Sequence, residues 1–107
     1  MKSNICVFIG SGDLAVRSAG LLGDLGLRLY GACRNPDVLP PLFKGIEADY
    51  TRSGALKFLE LLAPDFLILT FKPIKPDLSG YKQGFVNAAQ NLVHGLGKHI
   101  PSLVIFV

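Results

Sequence analysis

The sequence predicts a single α/β domain built on a parallel β-sheet, and three observations carry that expectation. Short apolar runs alternate with segments whose apolar residues recur at helical spacing, and the connections between them are short. The first apolar run also ends in Gly10-Ser11-Gly12 and gives way at once to a helical pattern. Alternation of this kind builds βαβ units, whose right-handed crossovers place strands side by side in one parallel sheet. A chain of 107 residues has room for one such domain.

Ile5-Cys6-Val7-Phe8-Ile9 is a continuous apolar run, the mark of a strand covered by helices on both faces. From Asp13 the period changes. Leu14, Ala15, Leu21, Leu22 and Leu25 recur at helical spacing over about three turns, and Gly26 sits where a C-terminal cap belongs. Residues 28–33 form a second strand, closed by the turn cluster Arg34-Asn35-Pro36-Asp37. Pro40-Pro41 excludes a regular helix over residues 38–44, leaving a turn with room for a short helical piece. A weak third strand is expected over residues 45–50. Ser53 is the expected N-cap of a helix that carries Leu56, Phe58, Leu59, Leu61 and Leu62 and stops at Pro64. Residues 66–71 give a fourth strand and residues 72–80 a proline-rich loop. Residues 81–96 give a long helix with Phe85, Ala88, Ala89, Leu92, Val93 and Leu96 on one side, and residues 103–107 a fifth strand.

Composition narrows the function classes. Half the residues are apolar and 18% charged, so most elements should be buried on more than one side. The net charge is +3, but Lys and Arg are scattered singly without a run or stripe, which argues against a nucleic-acid partner. The run ending at Ile9 is too short for a signal-peptide core, and no stretch approaches a membrane span of roughly 18 apolar residues; a cytoplasmic protein is expected. Cys6 and Cys33 lie in apolar strands without metal-ligand spacing and read as small buried hydrophobes. His94 and His99 lack neighbouring Cys, Asp or Glu to complete a metal set, and suit a surface or helix-end role. No serine stands beside a base in a motif, and the adjacent Tyr81 and Lys82 point to different helix faces.

One motif carries chemistry. Gly10-Ser11-Gly12-Asp13-Leu14-Ala15 fits G-x-G-x-x-A, directly after a strand and opening a helix. The first glycine permits the tight turn, the second lets a pyrophosphate approach the backbone, and the small third residue lets the helix pack near the sheet. The free amides and positive dipole end of the helix then face the phosphates. This loop favours a Rossmann-type sheet of five strands in the order 3-2-1-4-5, with helices on both faces, over the flavodoxin-like arrangement that uses the same alternation. An NAD site wants an acid roughly 20 residues on, at the end of the second strand. Here Ala32, Cys33 and Arg34 stand there, and Arg34 offers a planar fork to a 2′-phosphate, which favours NADP(H) over NAD(H).

These residues resemble the nucleotide-binding half of the extended short-chain dehydrogenases/reductases, in the NAD-dependent epimerase/dehydratase group. The resemblance runs over residues 5–107. It includes the glycine loop, Arg34-Asn35-Pro36 after the second strand, and Ala48-Asp49-Tyr50-Thr51 where the family has its Asp near the adenine. It also includes Thr70-Phe71-Lys72 where the loop after the fourth strand passes the nicotinamide ribose, and the x-x-N-[LV] close of the fourth helix at Asn91. The implied cofactor-binding residues are Gly10, Ser11, Gly12, Asp13, Leu14, Arg34, Asp49, Tyr50, Thr70 and Phe71. Departures are Ile9 in place of the first glycine of G-x-x-G-x-x-G, Ala15 in place of the last, Phe85 in place of an Asn, and Phe71-Lys72-Pro73 in place of a small apolar loop. The family's catalytic Ser or Thr follows the fifth strand and its Tyr-x-x-x-Lys comes later, so the resemblance implies a domain truncated after that strand and inactive alone. An exposed fifth strand is expected to associate with a second copy. A stand-alone nucleotide-sensing or protein-interaction module, and a flavodoxin-like domain without dinucleotide, use the same pattern and stay open at this point.

Overall fold

The computed structural model describes residues 4–10, 13–71 and 77–107. Five strands, β1 (Ile5–Ile9), β2 (Arg28–Cys33), β3 (Phe43–Glu47), β4 (Phe66–Leu69) and β5 (Leu103–Phe106), form one sheet in the order β3-β2-β1-β4-β5. All four pairings are parallel. This is the Rossmann-type arrangement, and the order reverses between β1 and β4.

The side chains of β1 divide the core in two. Ile5, Val7 and Ile9 face a layer with Leu56, Leu59, Leu67, Leu69, Phe71, Ala88 and Leu92. Cys6 and Phe8 face the other layer, with Ala15, Ala19, Leu29 and Phe43. A period of two along a strand buried on both sides produces this split. Burial pushes the Cys6 thiol up to about 11, while Cys33 is only half-buried.

The helix α1 (Asp13–Asp24) lies on the second layer, and Gly26 beyond it takes a φ of 79°. Its buried contacts are Ala15 and Ala19, whereas Leu21 and Leu25 from the expected apolar stripe are exposed. Two alanines one turn apart bring the helix close to the sheet, so the larger residues need not bridge a gap.

Elsewhere the element ends differ from the sequence expectation. The third strand begins two residues earlier and ends three earlier, and a 3-10 turn over Pro36–Val38 packs on its face at Gly45. A Cβ on Gly45 would lie 2.5 Å from Pro36 Cβ, so only glycine lets that turn sit so close. Ser53 is not an N-cap. Residues 51–57 form turns, Gly54 takes a φ of 79°, and α2 (Phe58–Leu62) begins four residues beyond it.

The long helix starts earlier than expected, at α3 (Leu78–Tyr81), where the Asp77 carboxylate accepts the Gly80 amide at 2.7 Å. It passes through a π-helical segment, Lys82–Asn87, into α4 (Ala88–Leu96). The π-turn rotates the face that follows. The buried side of α4 is Ala88, Asn91, Leu92 and Gly95, and Val93 is exposed.

Candidate functional site

A parallel sheet delivers the carboxyl ends of its strands to one edge, and the order reversal between β1 and β4 opens a crevice there. Six of the ten residues singled out from the sequence lie at that edge and are described: Gly10, Arg34, Asp49, Tyr50, Thr70 and Phe71. Leu14 lies in the first turn of α1. Asp13 opens the same helix, and Ser11 and Gly12 lie outside the described residues.

Gly10 follows β1 with a φ of 79°, and its amide donates to the Ala32 carbonyl at 2.9 Å. A Cβ there would lie 2.7 Å from the Thr70 carbonyl oxygen and 2.9 Å from the Tyr50 ring. Glycine is thus required both for the backbone angle and for the space. Across the crevice the Thr70 amide donates to the Ile9 carbonyl at 3.0 Å, and the Thr70 hydroxyl donates to the Gly10 carbonyl. These bonds tie the first turn to the end of β4.

On the other side of β1, the Ala48 amide donates to the Cys33 carbonyl at 2.9 Å, which brings the segment after β3 against the Arg34 end of β2. Asp49 follows. Its Oδ1 accepts the Thr51 hydroxyl at 2.6 Å and the Thr51 amide at 3.0 Å. Its Oδ2 lies 3.6 Å from Arg52 Nε. The Thr51 hydroxyl is the chief cause that holds this carboxyl below its ordinary value. Burial opposes it, and the Thr51 amide and the Arg34 and Arg52 charges add to the lowering. Asp49 is therefore ionised at neutral pH, beside the Arg52 guanidinium and within reach of the Arg34 charge.

The half beyond β4 is apolar. Phe71 is 5% exposed, its ring 4.8 Å from that of Tyr50 and 5.7 Å from that of Phe106, and Phe85 lies 6.5 Å from Phe106. Thr70, next to Phe71, turns its hydroxyl to the Ile9 and Gly10 carbonyls.

Sequence reasoning did not single out Thr51, Arg52 or Asn91 as site residues, although Thr51 and Asn91 lie within the motifs that carry the resemblance. Thr51 had a signal in Asp49-Tyr50-Thr51, since an Asp followed two residues on by Thr is a local hydrogen-bonding pattern. Arg52 had a local signal too, three residues after Asp49 in the same turn, where its amide also donates to the Asp49 carbonyl at 3.0 Å. Asn91 had a signal as a polar residue on the apolar stripe of a helix. The His99 ring nitrogen bonds the Pro64 carbonyl at 2.6 Å. Among the described residues no group of three or more His, Cys, Asp or Glu could hold a metal ion. No described helix is long and apolar enough to cross a membrane.

Sheet order, crevice and glycine turn together define a Rossmann-type domain of the kind that binds dinucleotides. The comparisons narrow this class. The chain is similar to a solved structure named as an NAD-dependent epimerase/dehydratase from Methylobacillus flagellatus, at 25% identity and a TM-score of 0.72, over 94% of this chain and 35% of that one. It is similar in fold to yeast methylglyoxal/isovaleraldehyde reductase complexed with NADPH, at 15% identity and TM-score 0.68, over 95% of this chain and 36% of that one. It is likewise similar to an NADH-dependent reductase complexed with NAD, at 15% identity and TM-score 0.72, over 98% and 59%. The structural neighbours are thus NAD-dependent epimerase/dehydratases and extended short-chain reductases. The chain spans about a third of the length of the first of them. No protein-family model matches the sequence, and no curated protein does either.

Proposed function

We propose that this chain is the NADP(H)-binding Rossmann domain of an NAD(P)-dependent epimerase/dehydratase or reductase. The observation that carries the reading is the convergence of Gly10, Arg34, Asp49 and Thr70 on the carboxyl edge of the sheet, on either side of the strand-order reversal. The residues fit the group. Gly10 takes the positive φ that the turn needs, Asp49 is an ionised acceptor, and the fork-shaped donor Arg34 lies close enough for its charge to lower the Asp49 pKa.

In this reading residues 10–14 and the start of α1 hold the pyrophosphate, Asp49 and Tyr50 line the adenosine, Arg34 takes the 2′-phosphate, and Thr70 and Phe71 line the nicotinamide ribose. When bound, the cofactor supplies hydride chemistry; the chain's own residues bind and orient it. These 107 residues contain no Tyr-x-x-x-Lys, and we infer that they do not turn over alone. The setting is cytoplasmic, without nucleic acid or membrane as partner. The wholly exposed β5 supports self-association through that edge, checked by sedimentation at rising concentration: a dimer or larger species is expected, and a strict monomer contradicts it.

The test of cofactor binding is Gly12→Val, read by NADPH titration with circular dichroism as the folding control. A side chain at Gly12 fills the space the phosphates need, so binding should vanish while the fold persists. Binding that survives in the folded variant contradicts the reading.

A further inference from the structure

The buried face of α4 holds one polar side chain among Ala88, Leu92 and Gly95: Asn91, 8% exposed. Burying an amide in an apolar layer costs free energy unless it finds a partner, and a leucine would fill similar space without that cost. Asn91 has a partner of a particular kind. Its Nδ2 donates at 2.9 Å to the Tyr50 carbonyl, a backbone group 41 residues away in the segment that follows β3. Tyr50 stands between Asp49, which carries the carboxylate, and Thr51, whose hydroxyl and amide both bond that carboxylate.

A second contact lies one helical turn along the same face. A Cβ on Gly95 would overlap the Leu56 carbonyl, 2.6 Å from its carbon, so glycine lets α4 rest directly on backbone at the far end of the same turns. Residues four apart share a helix face, and these two grip the segment 50–56 at both ends. Arg52 and the residues that fix Asp49 lie between or beside the grips. Local hydrogen bonds define the shape of the Asp49–Thr51 turn, and the Ala48–Cys33 bond ties its start to the end of β2 beside Arg34. The Asn91 bond adds a second tie past Asp49, from the Tyr50 carbonyl to a helix packed on the core.

We propose that Asn91 is a positioning residue: through the Tyr50 carbonyl it holds Asp49 in register with Arg34, and so sets the geometry of the adenosine and 2′-phosphate end of the site. The proposal rests on the function proposed above for what Asp49 and Arg34 bind, but the positioning itself is measurable without any ligand.

The experiment compares the unmutated chain with Asn91→Leu, which keeps the volume and removes the donor, and with Asn91→Gln, which keeps an amide on a longer arm. Hydrogen exchange is followed at the Thr51 and Arg52 amides, with β1 amides as the control for the core. Titrations use adenosine 2′,5′-bisphosphate and, separately, nicotinamide mononucleotide. In Asn91→Leu, exchange at Thr51 and Arg52 is expected to rise about tenfold, with β1 protection retained. Affinity for adenosine bisphosphate is expected to fall about tenfold, equivalent to about 1.4 kcal/mol, while that for the mononucleotide is unchanged. Asn91→Gln should recover most of both losses.

Native exchange at Thr51 and Arg52 in Asn91→Leu overturns the proposal. So does an equal loss of affinity for both ligand halves. Should the unmutated chain bind neither ligand, the functional reading fails, and the exchange data still decide the positioning. Should Asn91→Leu not fold, exchange of the Asn91 Nδ2 protons in the unmutated chain decides it: protection equal to that of buried amides supports the bond, and exchange at the solvent rate overturns it.

Discussion

The two sides of the crevice are built from opposite materials. Beyond β3, Asp49, Thr51, Arg52 and Arg34 form a polar cluster whose charges remain partly exposed, with Arg52 at 82%. Beyond β4, Phe71 is buried in a row of rings from Tyr50 to Phe106. A polar cluster at the surface adds little to stability but retains hydrogen-bonding capacity for a ligand. A buried aromatic does the reverse, because its contribution lies in contacts already made. On the proposed reading most of the stability lies on the β4 side and the adenosine end of the site on the β3 side, and each substitution below tests that division.

The largest expected effect is on the β4 side. Phe71→Ala should remove about 3–5 kcal/mol of stability, by loss of buried surface and the cavity left behind, as measured by urea unfolding. A loss below 1 kcal/mol means that the aromatic row is not part of the core. Gly10→Ala comes next. The backbone angle alone costs about 1–3 kcal/mol. The crowding against Thr70 and Tyr50 adds to it, so the thermal midpoint should drop by about 4–8 °C for each kcal/mol lost. An unchanged midpoint would falsify the tight turn described for Gly10.

On the β3 side the same measurements should barely move. Arg34→Ala should leave unfolding within about 0.5 kcal/mol of native, yet reduce NADPH affinity by roughly 1.5–3 kcal/mol and erase most of the preference over NADH. A variant that keeps its preference places the 2′-phosphate elsewhere. Arg52→Ala should cost under about 1 kcal/mol in stability, since the ion pair is exposed.

The smallest effect is the pH dependence of Asp49. Its folded pKa lies below the ordinary value, so its contribution to stability is present above about pH 3.9 and is lost as pH falls through the folded value. An acid titration of amide protection at Thr51 reads this directly, and Asp49→Asn should remove the dependence. Persistence of the dependence in that variant would assign it to another carboxyl.

How much of this was legible in the sequence also divides by material. The strands β1 and β2 and the helix α1 were readable because an uninterrupted apolar run, a glycine turn and a change of period follow one another there. The strand β3 was misplaced because Phe43-Lys44-Gly45-Ile46-Glu47 is an edge strand whose two apolar residues, Phe43 and Ile46, are three apart and give neither an apolar run nor an alternation. Ser53 has the chemistry of a cap, but Gly54 adopts a positive φ and the chain turns twice before α2 begins. The buried face of α4 was misread because the π-segment before it shifts the helical phase, and a periodicity count assumes that the phase is constant. Gly10, Arg34 and Asp49, proposed from motif and position, stand together at the carboxyl edge of the sheet. Arg52 was not singled out, because no motif marks it, although it lies only three residues from Asp49.

The most direct test of the account is the affinity of the unmutated chain for NADPH and NADH, measured by calorimetry at the same ionic strength. With Arg34 at the end of β2 and no acid there, the 2′-phosphate should add roughly 1.5–3 kcal/mol through charge-assisted hydrogen bonds. NADPH is therefore expected to bind about tenfold or more tightly. Equal affinities, or tighter binding of NADH, would contradict the assignment of the polar side of the crevice as an NADP(H) site.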